Sequence, residues 1–262
     1  MRALYTAASG MAAQETAVQV ISNNIANLRT TGYKKQRAEF EDLLYEHVRR
    51  VGTQTTDQGN VLPVGVDIGT GVKTVATPRM MGPGSPSQTG NPLDLMIRGD
   101  GFFKIQMPDG TFAYTRDGSF NLDGQGRLVT NSGNLVQPGI TFPANASQIS
   151  VNQNGQVSVV LPGQTNPTIV GQLDVTRFIN PVGLQPVGDN LYVETPASGA
   201  AQDGVPNTNG AGNILQGNLE AANVDAVTEI SDLISAQRAY EMNSKVVSAS
   251  DQMLQAVSNL SR

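Results

Sequence analysis

Residues 2–28 read RALYTAASGMAAQETAVQVISNNIANL, and their spacing decides the fold. Leu4, Met11, Val18 and Ile25 stand seven apart, and Ala7, Gln14, Ile21 and Leu28 form a second row between them. Apolar residues three and four positions apart fall on one side of an α-helix, which is coiled-coil spacing. The pattern predicts a helix from Arg2 to about Leu28, stopped near Asn27 by Thr30-Thr31-Gly32. The other end of the chain repeats it. Leu233, Tyr240, Val247 and Leu254 form one row, and Ala236, Asn243, Ser250 and Val257 the other, within a predicted helix over about 223–260. Asp225, Glu229 and Asp232 stand toward its start, where the helix dipole favours negative charge.

Punctuation residues agree with this division. Of 262 residues, 28 are Gly and 14 are Pro, yet every proline lies between Pro63 and Pro206 and no glycine follows Gly217. An interior Gly or Pro costs a helix about 1 or 3 kcal/mol. The ends therefore permit long helices and the middle does not. The middle reads instead as short strands separated by turns. Candidates are 64–68, 72–76, 94–97, 102–107, 112–115, 127–129, 157–161, 168–173 and 191–193. Asp109-Gly110, Asp117-Gly118, Asp123-Gly124, Asn154-Gly155 and Pro162-Gly163 supply the turns. No helical period interrupts them, so the sheet is expected to be antiparallel and the fold class α+β. The expected organisation is a helical assembly domain (1–30 and 223–262), an extended connection (31–66 and 213–222) and a central β domain (67–212). Residues 197–212 read as a long return loop.

Composition excludes several functions. There is no Cys, a single His and no Trp, which removes disulfides, thiol nucleophiles and multi-histidine metal sites. Lys+Arg is 17 against Asp+Glu 22, a net charge of -5 without a basic block, which argues against nucleic acid. No apolar run is long enough to span a membrane, and Thr6, Ser9, Gln14 and Glu15 interrupt any secretion signal. His47 beside Glu46 reads as a surface histidine. Counted from Asp117, the sixth and twelfth positions, where a calcium loop needs Gly and Glu, hold Leu122 and Leu128, so the Asp-Gly pairs of 117–124 read as hairpin turns. No catalytic residue, cofactor or metal is expected.

The apolar stripes are broader than one helix pair covers. Ala12, Ala13, Ala17, Val246 and Met253 fall outside the seam. A membrane-surface helix would carry a Lys/Arg-rich face, and these carry few such residues. Association with copies of the same chain is the favoured reading.

Three motifs carry a resemblance. Ser22-Asn23-Asn24-Ile25-Ala26-Asn27, followed by Thr31-Gly32-Tyr33-Lys34-Lys35, resembles the N-terminal signature of the bacterial flagellar rod and hook axial proteins. Arg238-Ala239-Tyr240-Glu241-Met242-Asn243-Ser244-Lys245-Val246-Val247 is similar to their C-terminal signature. Gly99-Asp-Gly-Phe-Phe103 and Tyr114-Thr-Arg-Asp-Gly-Ser-Phe120 are similar to their central β domain. Length and the segment 46–66 place the chain nearest the distal rod members, with proximal rod and short hook members as the alternatives. The resemblance implies a structural subunit of a hollow helical drive shaft, exported through the flagellar apparatus without a cleaved signal. It implies terminal helices that line the tube and a β domain outside them. Implied partners are further copies of itself, proximal rod and hook proteins, ring proteins that act as bushings, and the export apparatus. It implies no nucleic acid and no membrane insertion. Leu4, Met11, Val18, Ile21, Ile25, Leu233, Tyr240, Val247 and Leu254 are the expected assembly residues. The segment 46–66 is expected to order only in the polymer. Outside this family, a secreted β-rich binding module remains the alternative, weakened by 5% aromatics.

Overall fold

The computed structural model describes residues 2–51, 64–146, 148–163 and 166–260. It forms two compact units. One comprises Met1–Ile25, Gln36–Pro78 and Asp225–Arg262, and the other Ala26–Lys35 and Arg79–Val224.

The first unit holds the terminal helices, α1 (Arg2–Ala26) and α2 (Ala226–Leu260). α1 ends two residues before the predicted Leu28, where Thr30 N–H reaches back to Asn27 O (3.0 Å) and Thr30 Oγ1 to Asn27 Oδ1 (3.1 Å). α2 begins after Asp225 rather than at Asn223. The Asp225 carboxylate accepts the Thr228 N–H at 2.8 Å, the usual way to satisfy a free first-turn donor. Between the helices in sequence lie four strands, β1 (Glu39–Asp42), β2 (Tyr45–Arg49), β3 (Val66–Gly69) and β4 (Val72–Ala76). β1 pairs with β4 and β2 with β3, both antiparallel. Within the segment 31–66, expected as an extended connection, Glu39–Asp42 and Tyr45–Arg49 are paired strands. The strands expected at 64–68 and 72–76 exist, and their partners lie in this ribbon.

The second unit is a β body. Its main sheet runs in the order Gln185–Gly188, Leu191–Val193, Phe112–Thr115, Phe103–Gln106, Leu135–Val136, Leu128–Thr130 and Phe120–Leu122, antiparallel throughout. A three-stranded sheet (Gln148–Val151, Gln156–Val160, Thr168–Gln172) accompanies it. Leu95–Arg98 pairs with Asn213–Gln216, and Pro86–Gln88 with Asn218–Glu220. Within the segment 213–222, expected as an extended connection, Asn213–Gln216 and Asn218–Glu220 are thus paired strands. Gln202–Gly204 pairs with Val175–Arg177, so the predicted return loop contains a strand.

Alternation explains the core. In Gln156–Val160 only Val157 and Val159 turn inward, each 1% exposed, to join Leu95, Ile97, Phe103, Ile105, Phe120 and Ile214. A second, aromatic cluster gathers Phe102, Tyr114, Phe178 and Tyr192 around Leu184. Its rings meet edge-on, with Tyr114 and Phe178 centroids 4.8 Å apart. Burial pushes the Tyr114 hydroxyl up to about 12, with Glu194 and Asp203 adding to it. The motif stretches 99–103 and 114–120 therefore supply much of the core: Phe102, Phe103, Tyr114 and Phe120.

Candidate assembly surface

The two helices lie side by side and run antiparallel. Near one end Asn24 Nδ2 donates to Glu229 Oε2 at 3.0 Å. Fourteen residues along each helix, a Cβ added to Gly10 would lie 2.8 Å from Asn243 Nδ2. The Asn243 carboxamide therefore fills the space beside Gly10, which accounts for a glycine inside a 25-residue helix despite its propensity cost. Asn24 does more than meet α2. Its Oδ1 accepts the Gln36 N–H (2.9 Å) and its Nδ2 donates to Gln36 O (2.9 Å), so one buried carboxamide substitutes for a strand partner. On the ribbon side, Val72 N–H donates to Ser9 Oγ at 3.3 Å.

Cover is unequal. In α1, Ala7, Ala13, Val20 and Asn24 are buried. Leu4, Met11, Val18, Ile21 and Ile25 are half-buried. Ala13 was expected outside the seam and is instead covered within its own chain. Among the described residues of α2 only Glu229, Ala236 and Ser250 are buried. Leu233 and Val247 are half-buried, while Tyr240 and Leu254 remain 44% and 43% exposed. Val246 and Met253, expected outside the seam, are exposed. The ribbon also leaves Leu44, Tyr45, Val48, Val66 and Ile68 in solvent. A two-stranded ribbon is marginal alone. The central part of the segment 46–66, residues 52–63, lies outside the described residues.

The motif residues divide into two sets. Ser22, Asn23, Ala26 and Lys245 are exposed, and Ala239 and Asn243 are half-buried. Gly32 and Tyr33 are buried in the β body. Gly32 has φ +68, and a Cβ there would lie 2.7 Å from the Arg116 backbone carbon. Tyr33 lies under the Arg79 guanidinium, 6.0 Å from its ring centre. Beside it is a feature that sequence reasoning missed. Lys34 Nζ, fully buried, meets Glu220 Oε1 at 2.5 Å and donates to Gly82 O at 2.9 Å. Glu220 also accepts Gly84 N–H (2.8 Å), and its other oxygen faces Arg116 Nη1 at 3.4 Å. Arg116 Nη2 donates to Gly99 O at 2.7 Å. Burial pushes the Lys34 ammonium below its ordinary value, and Glu220 offsets part of that. Lys34 and Glu220 stand 186 residues apart, so no local pattern announces the pair.

His47 lies in β2, exposed, with Nδ1 2.6 Å from Asp67 Oδ1 across the ribbon. Asp123 takes the backbone N–H groups of Gln125 and Arg127, the turn role expected of it. No group of three or more His, Asp or Glu side chains gathers as a metal site among the described residues. No helix there is long and apolar enough to cross a membrane.

Three family models match along the chain. They are the flagella basal body rod protein (residues 4–34), the flagellar hook protein FlgE/F/G D1 domain (96–159) and the flagellar basal body rod FlgEFG protein C-terminal region (215–260). Full-length relatives agree. The chain is 55% identical over 260 residues to the flagellar basal-body rod protein FlgG of Caulobacter vibrioides, covering 99% of each. It is 47% identical over 257 residues to that of Buchnera aphidicola, covering 98% of each. It is also 47% identical over 264 residues to that of Borreliella burgdorferi, covering 100% of this chain and 99% of that protein.

Proposed function

The chain belongs to the FlgG family of flagellar basal-body rod proteins, and from that premise we propose how it builds a rod. It is a structural subunit of the rod, and the distal rod is its place in the shaft. The full-length likeness replaces the alternative of a secreted binding module. The terminal helices pair as a coiled coil, and their uncovered faces pack against further copies. Leu4, Met11, Val18, Ile21, Ile25, Leu233, Tyr240, Val247 and Leu254 carry that packing. One observation carries the reading: α2 leaves Val227, Ile230, Ile234, Val246 and Met253 at least 45% exposed along 35 helical residues. An apolar surface of this extent marks an interaction site. A contact between two different faces that does not close on itself propagates as an open helical polymer.

The polymer transmits torque from motor to hook. Its neighbours are proximal rod and hook proteins at its ends and ring proteins around it. The subunit reaches its place across the periplasm through the flagellar export apparatus, without a cleaved signal. The low charge suits a wall packed against itself, since 21 Asn and 20 Gln can hydrogen-bond across an interface without the desolvation cost of an ion.

The test is Val18→Asp and Leu254→Asp. Each variant is expected to keep the near-ultraviolet circular dichroism of the buried Phe102, Tyr114, Phe178 and Tyr192 cluster while rods disappear from purified basal bodies. Normal rods built from either variant would overturn the proposal.

A further inference from the structure

α2 carries two apolar flanks, and they lie on opposite sides of it. Counting heptads from Ala226, the face turned toward α1 contains Glu229, Leu233, Ala236, Asn243, Val247 and Ser250, buried or half-buried, and Tyr240, which is 44% exposed. On one side of that row stand Val227, Ile230 and Ile234, which are 79%, 51% and 45% exposed. The same side then turns polar, with Gln237, Glu241, Ser244, Ser248 and Asp251. The other side does the reverse. It begins with Thr228, Asp232 and Ser235 and continues with Ala239, Met242, Val246, Ala249 and Met253. Met242, Val246 and Met253 are 61%, 46% and 62% exposed. The apolar flank therefore changes sides between Ile234 and Ala239.

A helix lying along either flank covers one patch and then meets polar side chains. To reach both patches, a single partner must pass over the outward row, where Arg238 and Lys245 stand exposed. Burying those charges without partners is unfavourable. Passage by the inner side is blocked by α1 itself.

We propose that α2 seats two different copies of this chain, one on the Val227/Ile230/Ile234 flank and the other on the Met242/Val246/Met253 flank. The inference rests on the rod reading above. Two observations favour a copy as the occupant. The α1-facing row continues to Leu254, which is 43% exposed, so the surface next to the intrachain contact still lacks helix cover. α1 in turn exposes Ala8 and Ala12, residues short enough for a helix bearing Ile, Val and Met to approach closely.

The experiment uses a photo-crosslinking phenylalanine analogue at Ile234, at Met253, or at both. The substituted chain is made as a minor fraction beside unsubstituted chain, so most of its neighbours carry no probe. Basal bodies are irradiated and the products sized. Each single probe is expected to give dimers of this chain, and the double probe to give trimers. Peptide mapping is expected to place the two links on different neighbours. Dimers alone from the double probe would show one neighbour spanning both flanks and overturn the proposal. So would links to the chain's own β body or to a different protein. Ile230 and Val246 replace Ile234 and Met253 if a probe at either keeps the chain out of rods. Absence of the unsubstituted chain from the rods would defeat the rod reading instead.

Discussion

The β body and the helical unit solve the same problem in opposite ways. Of the described buried hydrophobic residues, the helical unit supplies only Ala7, Ala13, Val20 and Ala236, and the body supplies all the rest. Conversely, among the described residues eighteen of the twenty-six exposed large hydrophobic side chains belong to the helical unit. Folding succeeds when apolar burial exceeds an ordering cost of about 1–2 kcal/mol per residue. The body meets that condition within one chain. On the proposed reading the helical unit gains most of its remaining burial from neighbours, which makes its order and its assembly one event. The difference separates what the chain folds for itself from what it folds for the polymer.

The comparison breaks most visibly at matched truncations. Phe103→Ala removes a ring that is 1% exposed and packs edge-on against Phe120 at 5.1 Å. It is expected to destabilise the free body by about 3–5 kcal/mol in urea unfolding followed by tyrosine fluorescence. Ile234→Ala truncates a side chain that is 45% exposed, and is expected to shift the same curve by less than about 0.5 kcal/mol while impairing rod formation. Equal effects on the free chain would erase the distinction between the units.

The buried ion pair sharpens it. Lys34→Met leaves Glu220 buried with the Gly84 N–H and a 3.4 Å approach to Arg116. Breaking such a pair from one side costs about 3 kcal/mol or more. The loss is expected as a lower melting temperature of the body, with the helicity of α2 unchanged. Lys34 and Glu220 both belong to the body, so the pair joins two distant segments within that unit.

The smallest effect is a pH dependence at Asp203. Desolvation alone would raise its carboxyl, but Lys104 Nζ (2.6 Å) and Thr176 Oγ1 (2.5 Å) donate to it and hold it below the ordinary carboxylate value. Asp174, the facing acid, is raised by burial and by Asp203. A carboxyl lowered by folding contributes stability that is fully present above about pH 3.8 and is lost as pH falls through its folded value. Asp203→Asn is expected to reduce the acid dependence of body stability by less than about 1 kcal/mol, since the pair is partly exposed. An unchanged acid limb in denaturation at pH 2–5 would contradict this.

What the sequence revealed follows from how locally each feature is encoded. The strands at 72–76, 112–115 and 191–193 were read to the residue, because β-branched and aromatic side chains between Gly or Asp turns are a local signal. Glu39–Asp42 (EFED), Gln202–Gly204 (QDG) and Asn218–Glu220 (NLE) carry no such signal. Their partners alone make them strands. Both heptad rows face α1, but the row containing Ala236 and Ser250 is the more buried, and Tyr240 and Leu254 are less covered than their apolar character implied. The change of flank in α2 is written in the sequence, and it becomes legible only once α1 identifies which row faces inward. The Lys34–Glu220 pair has no sequence signal of any kind.

Amide hydrogen exchange of the free chain against assembled rods tests the central claim most directly. Protection is expected to rise strongly across residues 2–25 and 226–256 on assembly. Amides of the body core at Ile97, Phe103, Val157 and Ile214 should stay equally protected in both states. Helices already as protected in the free chain as in the rod, or a body that gains protection only on assembly, would contradict the account.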